Sequence, residues 1–286
     1  MELNIYVVDA FTDKQFKGNS AAVVPLVDWL QPEVMQSIAA ENNLSETAFI
    51  KKTDDNQYEI RWFSPLIEID FCGHATLASS FVLFNVLNVV GDIEFITLEV
   101  GNLTVKRDDD GRIEMSFPNQ CPESVIDIPS PIISGLSIKP IQVLRNRQAY
   151  VAVLATKQDV LDVQYDVDAL KLLAPRDLVV TASACCNKGC QGNDLVELCG
   201  TSDLVPATDI DFVSRYFWPA SGGHEDPVTG SIHSGLAPYW ASVLGKTSLT
   251  AYQASSRGGL LYCRVEGERV FVSGYGVLYL QGKIFI

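Results

Sequence analysis

Two stretches of this chain repeat one another, and this repeat limits the architectures that the chain can adopt. In each stretch an aromatic strand ends at a proline, a polar turn follows, and a glycine begins a run of small and apolar residues. The copies read Arg61-Trp62-Phe63-Ser64-Pro65 with Cys72-Gly73-His74-Ala75-Thr76, and Arg215-Tyr216-Phe217-Trp218-Pro219 with Glu225-Asp226-Pro227-Val228-Thr229-Gly230-Ser231. The duplication predicts two similar halves that face each other, with a pocket where the two helix starts converge.

β-Branched and aromatic residues dominate the chain and predict a structure made mainly of strands. The predicted strands cover 5–8, 21–25, 47–50, 58–63, 93–100, 103–107, 113–117, 141–143, 149–154, 177–182, 194–199, 260–265, 270–274 and 276–285. Helices are predicted at 32–42 and 166–173 from their apolar periodicity. Two further segments, 75–87 and 231–243, carry almost no charge, and a helix without a polar face is a buried helix. The predicted fold class is therefore α+β, with two pseudo-symmetric halves, each a β-barrel-like curled sheet around a central buried helix.

Prolines mark the expected boundary between the halves. Pro118, Pro122, Pro129 and Pro131 interrupt the strand pattern, and proline is poorly tolerated inside sheets. We predict an N-terminal half at 1–118, completed by the last strand at 277–286, and a C-terminal half at 119–276.

Charge and cysteine content limit the possible partners and compartment. The formal net charge of −14 argues against nucleic acid or an anionic membrane as a partner. The N-terminus lacks the pattern of a signal peptide, and no apolar run is long enough to span a membrane. Seven cysteines are an odd number, which favours free thiols and a cytoplasmic location. Cys185, Cys186 and Cys190 do not have a zinc spacing, so no metal is predicted.

Several polar residues beside the repeat could carry out chemistry. Glu46 precedes an apolar strand, where desolvation suits a carboxylate to proton transfer near neutral pH, although a solvated turn glutamate is the more frequent explanation. Gly73 and His74 begin the first buried helix, whose free N–H groups would hold an anion, although a lone histidine is more often a packing or capping residue.

Asp226, Gly230 and Ser231 form the matching group before the second helix, with helix capping as the alternative explanation. Arg257 lies in a polar turn between strands and could contact an anionic substrate, although a surface loop is the commoner explanation.

Taken together, these residues resemble the PhzF-like family, named for an isomerase of phenazine biosynthesis and related in fold to diaminopimelate epimerase. The matching segments are 8–11, 18–23, 45–49, 61–65, 72–78, 225–231 and 253–259. The resemblance implies two barrel-like halves with the site in the cleft between them, no cofactor or metal, and a homodimer.

The same resemblance implies a role for each candidate residue. Glu46 would be the acid/base that shuttles a proton, and the catalytic residues His74 and Asp226, together with Ser231, would position the substrate and share its hydrogen bonds. Gly73, Gly230, Ser231, Asn19 and Arg257 would bind the substrate. In the related epimerases a pair of cysteines, one before each helix-opening glycine, moves protons; here Cys72 occupies the first position but Thr229 holds the second. A two-thiol racemase is therefore not expected, and Cys72 is interpreted as a packing residue.

These observations predict a cofactor-independent isomerase that moves a proton between carbons of a small anionic, carboxylate-bearing metabolite, with Glu46 as general acid/base. Two alternatives stay open at this point. One is an amino-acid epimerase or racemase that uses Glu46 and Asp226, and the other is a non-catalytic small-molecule-binding protein. The substrate itself is not specified by the sequence.

Overall fold

The computed structural model describes residues 1–184 and 209–286 and divides into two compact units. The first unit contains Met1–Phe117 and Phe271–Ile286, and the second contains Pro118–Val270. The strand predicted at 194–199, together with Cys185, Cys186 and Cys190, lies outside the described residues. No helix within the described ranges is both long enough and apolar enough to cross a membrane.

Strands make up most of the described chain. They are β1 (Glu2–Ala10), β2 (Asn19–Leu26), β3 (Glu46–Asp54), β4 (Gln57–Phe63), β5 (Glu68–Ile69), β6 (Ile93–Ile96), β7 (Leu103–Arg107), β8 (Ile113–Pro118), β9 (Glu123–Ser124), β10 (Gln142–Arg145), β11 (Ala149–Val153), β12 (Asp177–Ser183), β13 (Phe212–Phe217), β14 (Glu225–Asp226), β15 (Ser248–Gln253), β16 (Gly259–Glu266), β17 (Arg269–Gly274) and β18 (Gly276–Phe285). The α-helices are α1 (Pro32–Asn42), α2 (Gly73–Phe81), α3 (Ser130–Gly135), α4 (Lys157–Asp162), α5 (Val167–Lys171) and α6 (His233–Leu244).

The first unit is a curled sheet that packs around α2. Antiparallel pairs join β18 to β1, β1 to β2, β3 to β4, β6 to β7 and β7 to β8, and parallel pairs join β2 to β3 and β4 to β6. Nearly every residue of α2 is buried. The hydroxyls of Thr76, Ser79 and Ser80 each donate to the carbonyl four residues earlier. These bonds satisfy the small polar side chains that burial would otherwise leave without partners.

The second unit has the same order of strands around α6. Antiparallel pairs join β9 to β10, β10 to β11, β12 to β13 and β15 to β16, and parallel pairs join β11 to β12 and β13 to β15. Helix α6 is buried through most of its length and ends at Gly245, which has a φ of 66°. Glycine adopts this left-handed conformation without steric cost, so the helix stops there.

The sequence repeat corresponds to the same strand register in both units. Thr47 of β3 lies opposite Phe63 of β4, and Leu178 of β12 lies opposite Phe217 of β13. Since Phe63 and Phe217 are the matching residues of the two copies, the strands before them are equivalent as well. Each unit is therefore built on the same supersecondary pattern, as the sequence predicts.

An arginine–glutamate ion pair fixes the strand end in each copy. Arg61 binds Glu68 through two hydrogen bonds of 2.6 and 2.7 Å, and Arg215 binds Glu225 through two of 2.7 and 2.9 Å. Each guanidinium also lies over the ring of the phenylalanine two residues later, at 5.4 and 5.0 Å from its centroid. This bidentate geometry holds the turn that leads to each helix start.

Most predicted elements within the described residues are present, and the differences have local causes. The helix predicted at 32–42 has those bounds. The strand predicted at 93–100 ends at Ile96, and the helix predicted at 75–87 changes after Phe81 to one π-helical turn over Val82–Val86. The elements that were not predicted are the short helices α3 and α4, the two-residue strands β5, β9 and β14, and the strand β15.

Candidate active site

Glu46 and His74 form a close pair in the first unit. Glu46 is the first residue of β3 and His74 is the second residue of α2. Glu46 Oε2 lies 2.9 Å from His74 Nε2, with the two side chains 16% and 6% exposed. Within the described residues this buried carboxylate oxygen makes no aligned hydrogen bond. The two atoms are therefore close, but the His74 N–H does not point at Glu46 Oε2. This oxygen is left available to accept a proton.

Asn19 and Cys72 contact the other nitrogen of the His74 ring. His74 Nδ1 lies 3.2 Å from Asn19 Nδ2 and 3.3 Å from Cys72 Sγ. In the neutral ring Nδ1 accepts from these donors, so the ring proton is on Nε2, beside Glu46. The Asn19 amide is itself oriented by a 3.4 Å hydrogen bond from Ser45 Oγ to its Oδ1. Asn19 thus orients His74 from a buried position.

Burial and charge set the protonation of this group. Burial, with a contribution from Glu46, raises the pKa of the Cys72 thiol to about 11, so it is a neutral thiol at neutral pH. Burial alone would lower the pKa of His74, but the adjacent Glu46 carboxylate outweighs it, and the pKa lies well above its ordinary value. When the ring is protonated on Nδ1, the Cys72 sulphur can act as the acceptor.

The start of α2 adds free hydrogen-bond donors to the site. No partner for the backbone N–H of Gly73 or His74 is found among residues 1–184 and 209–286. The N-terminus of a helix carries a partial positive charge and suits an anion. Gly73 and His74, predicted as site residues, therefore lie together with Glu46.

Asp226 is held by neighbouring residues in the second unit. The Thr229 hydroxyl donates a short hydrogen bond to the Asp226 carboxylate. Gln253 is completely buried. Its Oε1 accepts from the Thr229 N–H and its Nε2 donates to the Asp226 carbonyl, both at 2.9 Å. The residue at the second cysteine position of the related epimerases is thus a hydroxyl bound to a carboxylate.

Gly230 and Ser231 precede the second buried helix. The sequence predicts that this helix starts at Ser231, but it begins at His233. Residues 230–232 form a tighter turn, in which His233 and Ser234 N–H groups bond to the carbonyls three residues earlier. No side chain in the described part of the chain caps the N-terminus of α6, so the helix-capping explanation for Asp226 and Ser231 is wrong.

A chain of hydrogen bonds connects Ser231 to the half-buried carboxylate of Asp177. Gln148 Nε2 lies 3.0 Å from Ser231 Oγ and 3.1 Å from Tyr216 Oη, and donates to both. The Tyr216 hydroxyl donates to Asp177 Oδ2 at 2.9 Å, and Ser221 donates to Oδ1 at 2.9 Å. Burial raises the pKa of Asp177, and burial together with Asp177 raises that of Tyr216 well above its usual range.

The repeat makes Asp177 the counterpart of Glu46. Glu46 directly precedes Thr47, and Asp177 directly precedes Leu178, the two residues that face the matching phenylalanines. In the parallel pairs, Glu46 lies opposite Ala21 and Asp177 opposite Ala149. Each unit therefore has a carboxylate at the same register position.

Arg257 lies in the turn between β15 and β16, as the sequence predicts. Ser255 Oγ in this turn donates to the Pro227 carbonyl at 2.8 Å and accepts from the Gly258 N–H at 3.0 Å. The turn that carries Arg257 is thus attached to the loop that carries Asp226.

Comparison with known proteins identifies the family of this chain. The family model described as phenazine biosynthesis-like protein matches residues 8–282. The chain belongs to this family. A protein of Pseudomonas aeruginosa named as an uncharacterized isomerase is 41% identical, with all of both chains covered. A solved PhzF-family structure from Enterococcus faecalis is 39% identical, with a TM-score of 0.87 and all of both chains covered. The predicted family is confirmed.

More distant enzymes share this fold. A hydroxyproline epimerase structure from Agrobacterium vitis has a TM-score of 0.57 at 10% identity, covering 99% of this chain and 92% of that one. At this identity the likeness concerns the fold alone, and the predicted epimerase-like α+β fold is confirmed. For this PhzF-family chain, the names of its similar relatives support isomerase as the enzyme class.

Sequence reasoning missed three residues that support the candidate site. Gln148, Asp177 and Gln253 lie in or directly beside strands, where residue type alone gives no signal. Asp177 could have been found by aligning the two copies back from Phe63 and Phe217 to the start of the preceding strand. Cys72 was interpreted as a packing residue, but its sulphur contacts His74.

Glu46, Cys72 and His74 also resemble a metal-ligand set in composition. Among the described residues, one ligand atom from each lies within 4.8 Å of the others. Oxygen, sulphur and nitrogen ligands of this kind suit zinc. Metal binding would require the Cys72 thiol, whose pKa is about 11 in the absence of a metal, to lose its proton. The function proposed below rests on the proton chemistry of the same group.

Proposed function

We propose that the protein is a cofactor-independent isomerase that moves a proton between carbons of a small carboxylate metabolite, with Glu46 as general acid/base. The observation that carries this proposal is the buried Glu46 Oε2, which makes no aligned hydrogen bond and lies 2.9 Å from His74 Nε2. A carboxylate in this state can remove a proton from an activated carbon and return it at another carbon of the same molecule.

In this proposal, His74 acts mainly on Glu46. Both ring nitrogens already have neighbours, Glu46 at Nε2 and Asn19 and Cys72 at Nδ1. The imidazole beside the carboxylate holds it in position to accept the substrate proton. The unpartnered N–H groups at the start of α2 would bind negative charge on the substrate.

Ser231, Asp226, Gly230 and Arg257 keep their predicted binding or assisting roles in this proposal. Ser231 Oγ accepts a hydrogen bond from Gln148, which leaves the serine O–H to donate to a substrate carboxylate. We propose that Asp226, Gly230 and Arg257 also act on the substrate, and that Gln148 positions Ser231.

Deuterium exchange followed by proton NMR tests the proposal. The protein, Glu46→Gln and the control Glu41→Gln, an exposed glutamate of the same unit, are incubated in D₂O with small carboxylic and amino acids and cyclohexadiene carboxylates. Deuterium that enters one compound with the native protein and the control, but not with Glu46→Gln, supports the proposal. Equal exchange by Glu46→Gln would remove this residue from the mechanism.

The same experiment separates the two alternatives. Exchange at a single stereocentre with inversion, and loss of exchange in Asp226→Asn as well as Glu46→Gln, would favour an epimerase or racemase. Compounds that bind without exchanging any proton would favour a non-catalytic binding protein.

A further inference from the structure

A concave region of the second unit is lined by three arginines that the proposed reaction does not use. Its volume is about 480 Å³. The lining residues are Asn119, Gln120, Cys121, Glu123, Arg145, Asn146, Arg147 and Arg176. This volume lies within the usual range of pockets that bind small molecules.

Asn146 stabilises the turn that connects β10 to β11 and lines the concave region. Its Oδ1 accepts from the N–H groups of Gln148 and Ala149, both at 2.9 Å, and fixes the turn. Its Nδ2 donates to the Gln120 carbonyl at 3.3 Å, and its own carbonyl accepts from Arg176 Nε at 3.1 Å. Arg176 is therefore held against the turn through one nitrogen, with its terminal nitrogens left for another partner.

The charges in this region are not balanced by the described residues. No ion pair joins Arg145, Arg147 or Arg176 to a carboxylate in residues 1–184 and 209–286. Glu123 is the one acidic residue of the lining, and it faces Arg145 across the β9–β10 pair. Three positive charges and one negative charge leave the lining with a net charge of +2, in a chain whose net charge is −14. Guanidinium groups brought together without counter-charges repel one another.

We propose that this arginine-lined cavity binds a small anion with two or more negative charges, carried by carboxylate or phosphate groups. Guanidinium groups form bidentate hydrogen bonds with both kinds of group. A multivalent anion would relieve the repulsion among the arginines and satisfy the free nitrogens of Arg176. The site shares no residue with the proposed reaction, so the two proposals stand or fall separately.

Titration calorimetry at constant ionic strength tests the site with two probes, citrate for carboxylates and inorganic pyrophosphate for phosphates. We expect saturable one-to-one binding of at least one probe, and a loss of affinity of about tenfold or more in Arg145→Gln/Arg147→Gln. Binding of citrate alone assigns the site to polycarboxylates, and binding of pyrophosphate alone assigns it to phosphates. The control Lys139→Gln/Lys157→Gln removes two positive charges from the same unit outside the cavity.

The result that overturns the proposal is absence of binding by both probes, or equal weakening in the arginine and lysine double variants. Equal weakening would mean that net charge, and not this cavity, attracts the anion. Because Arg145 and Arg147 are exposed, their substitution is expected to leave folding intact, which circular dichroism checks. Arg145→Lys/Arg147→Lys keeps the charge but removes the planar fork, so it should bind more weakly than the native protein. Calorimetry needs no turnover, so failure here leaves the proposed isomerase function untouched.

Discussion

Asp177 occupies in the second unit the register position that Glu46 occupies in the first. The surroundings of the two carboxylates differ. Glu46 Oε2 makes no aligned hydrogen bond, whereas both oxygens of Asp177 accept hydroxyl hydrogen bonds at 2.9 Å. The same position therefore carries a carboxylate oxygen without an aligned hydrogen bond in one unit and the end of a hydrogen-bond chain in the other.

Glu46→Gln should lower turnover by about 10²- to 10⁴-fold, because the amide cannot exchange a proton with the substrate. The substitution preserves shape, so thermal unfolding and ligand binding should change little. Steady-state kinetics on the substrate class identified by deuterium exchange checks the prediction. Glu41→Gln should keep native turnover, and an equal loss in both variants would point to a general effect of charge.

Glu46→Gln should also lower the pKa of His74, because the carboxylate raises it in the native protein. A raised pKa contributes stability that is present below the unfolded value of 6.5 and is lost as pH rises through the folded value. NMR titration of the ring nitrogens measures the pKa of His74 in the native protein and in the variant. An unchanged His74 titration in the variant would contradict the pairing, and Glu41→Gln gives the reference.

His233 should make the second unit less stable in acid. This histidine is completely buried, its Nδ1 lies 2.9 Å from the Thr229 carbonyl, and burial lowers its pKa from 6.5 to about 4. The unfolded chain therefore binds a proton at a higher pH than the folded chain. Stability contributed by the neutral ring is full above pH 6.5 and should fall by about 3 kcal/mol by pH 4.

Urea unfolding of the native protein and His233→Gln at pH 7 and pH 4.5 measures this contribution. Glutamine can still donate to the Thr229 carbonyl but does not titrate. The variant should lose less stability between the two pH values than the native protein does. The same loss in both proteins would place the acid sensitivity in other groups.

Gln148→Leu should reduce turnover about tenfold, because it removes the donor that orients Ser231. Ser231→Ala should have a similar effect, and the double variant should be no worse than the more damaging single variant. A coupling energy of about 1 kcal/mol in this double-mutant cycle would support the positioning role. The control Gln158→Leu changes an exposed glutamine on α4 and should be neutral. Strictly additive effects would mean that the two residues act independently.

Cys72 should resist alkylation at pH 8, because its pKa of about 11 leaves little thiolate and its side chain is buried. Exposed Cys121 should react faster with iodoacetamide, as followed by peptide mass spectrometry. Fast labelling of Cys72 would indicate a low-pKa thiol and would reopen the possibility of thiol chemistry.

The sequence was most informative where residue type and local position carry the signal. The uncharged segments that became α2 and α6, and Glu46 and His74 beside the first of them, could be predicted for that reason. The strand at 93–100 was predicted too long, because Leu98 and Val100 are strand-forming residues in an exposed turn. Helices α3 and α4 span six residues each, too few to show helical periodicity.

The hydrogen bonds around Ser231 and Asp226 depend on tertiary structure. Gln148 and Tyr216 are distant in sequence, and their hydrogen bond exists only because β11, β12 and β13 are neighbours. Gln253 reaches Asp226 and Thr229 from the end of β15, a strand whose mixture of polar and small residues gave no clear alternation. Residue spacing does not carry this information.

The two arginine–glutamate ion pairs, Arg61 with Glu68 and Arg215 with Glu225, stabilise the repeated backbone independently of the candidate site residues. They hold the strand ends and turns without using any residue of the candidate site. The side chains at 46 and 74, or at 177 and 231, can therefore diverge between the copies while the backbone around them keeps its course. This separation allows one repeated pattern to carry a glutamate–histidine pair in one copy and an aspartate-to-serine chain in the other. It also makes exchange of these residues between the copies a practical route to redesign.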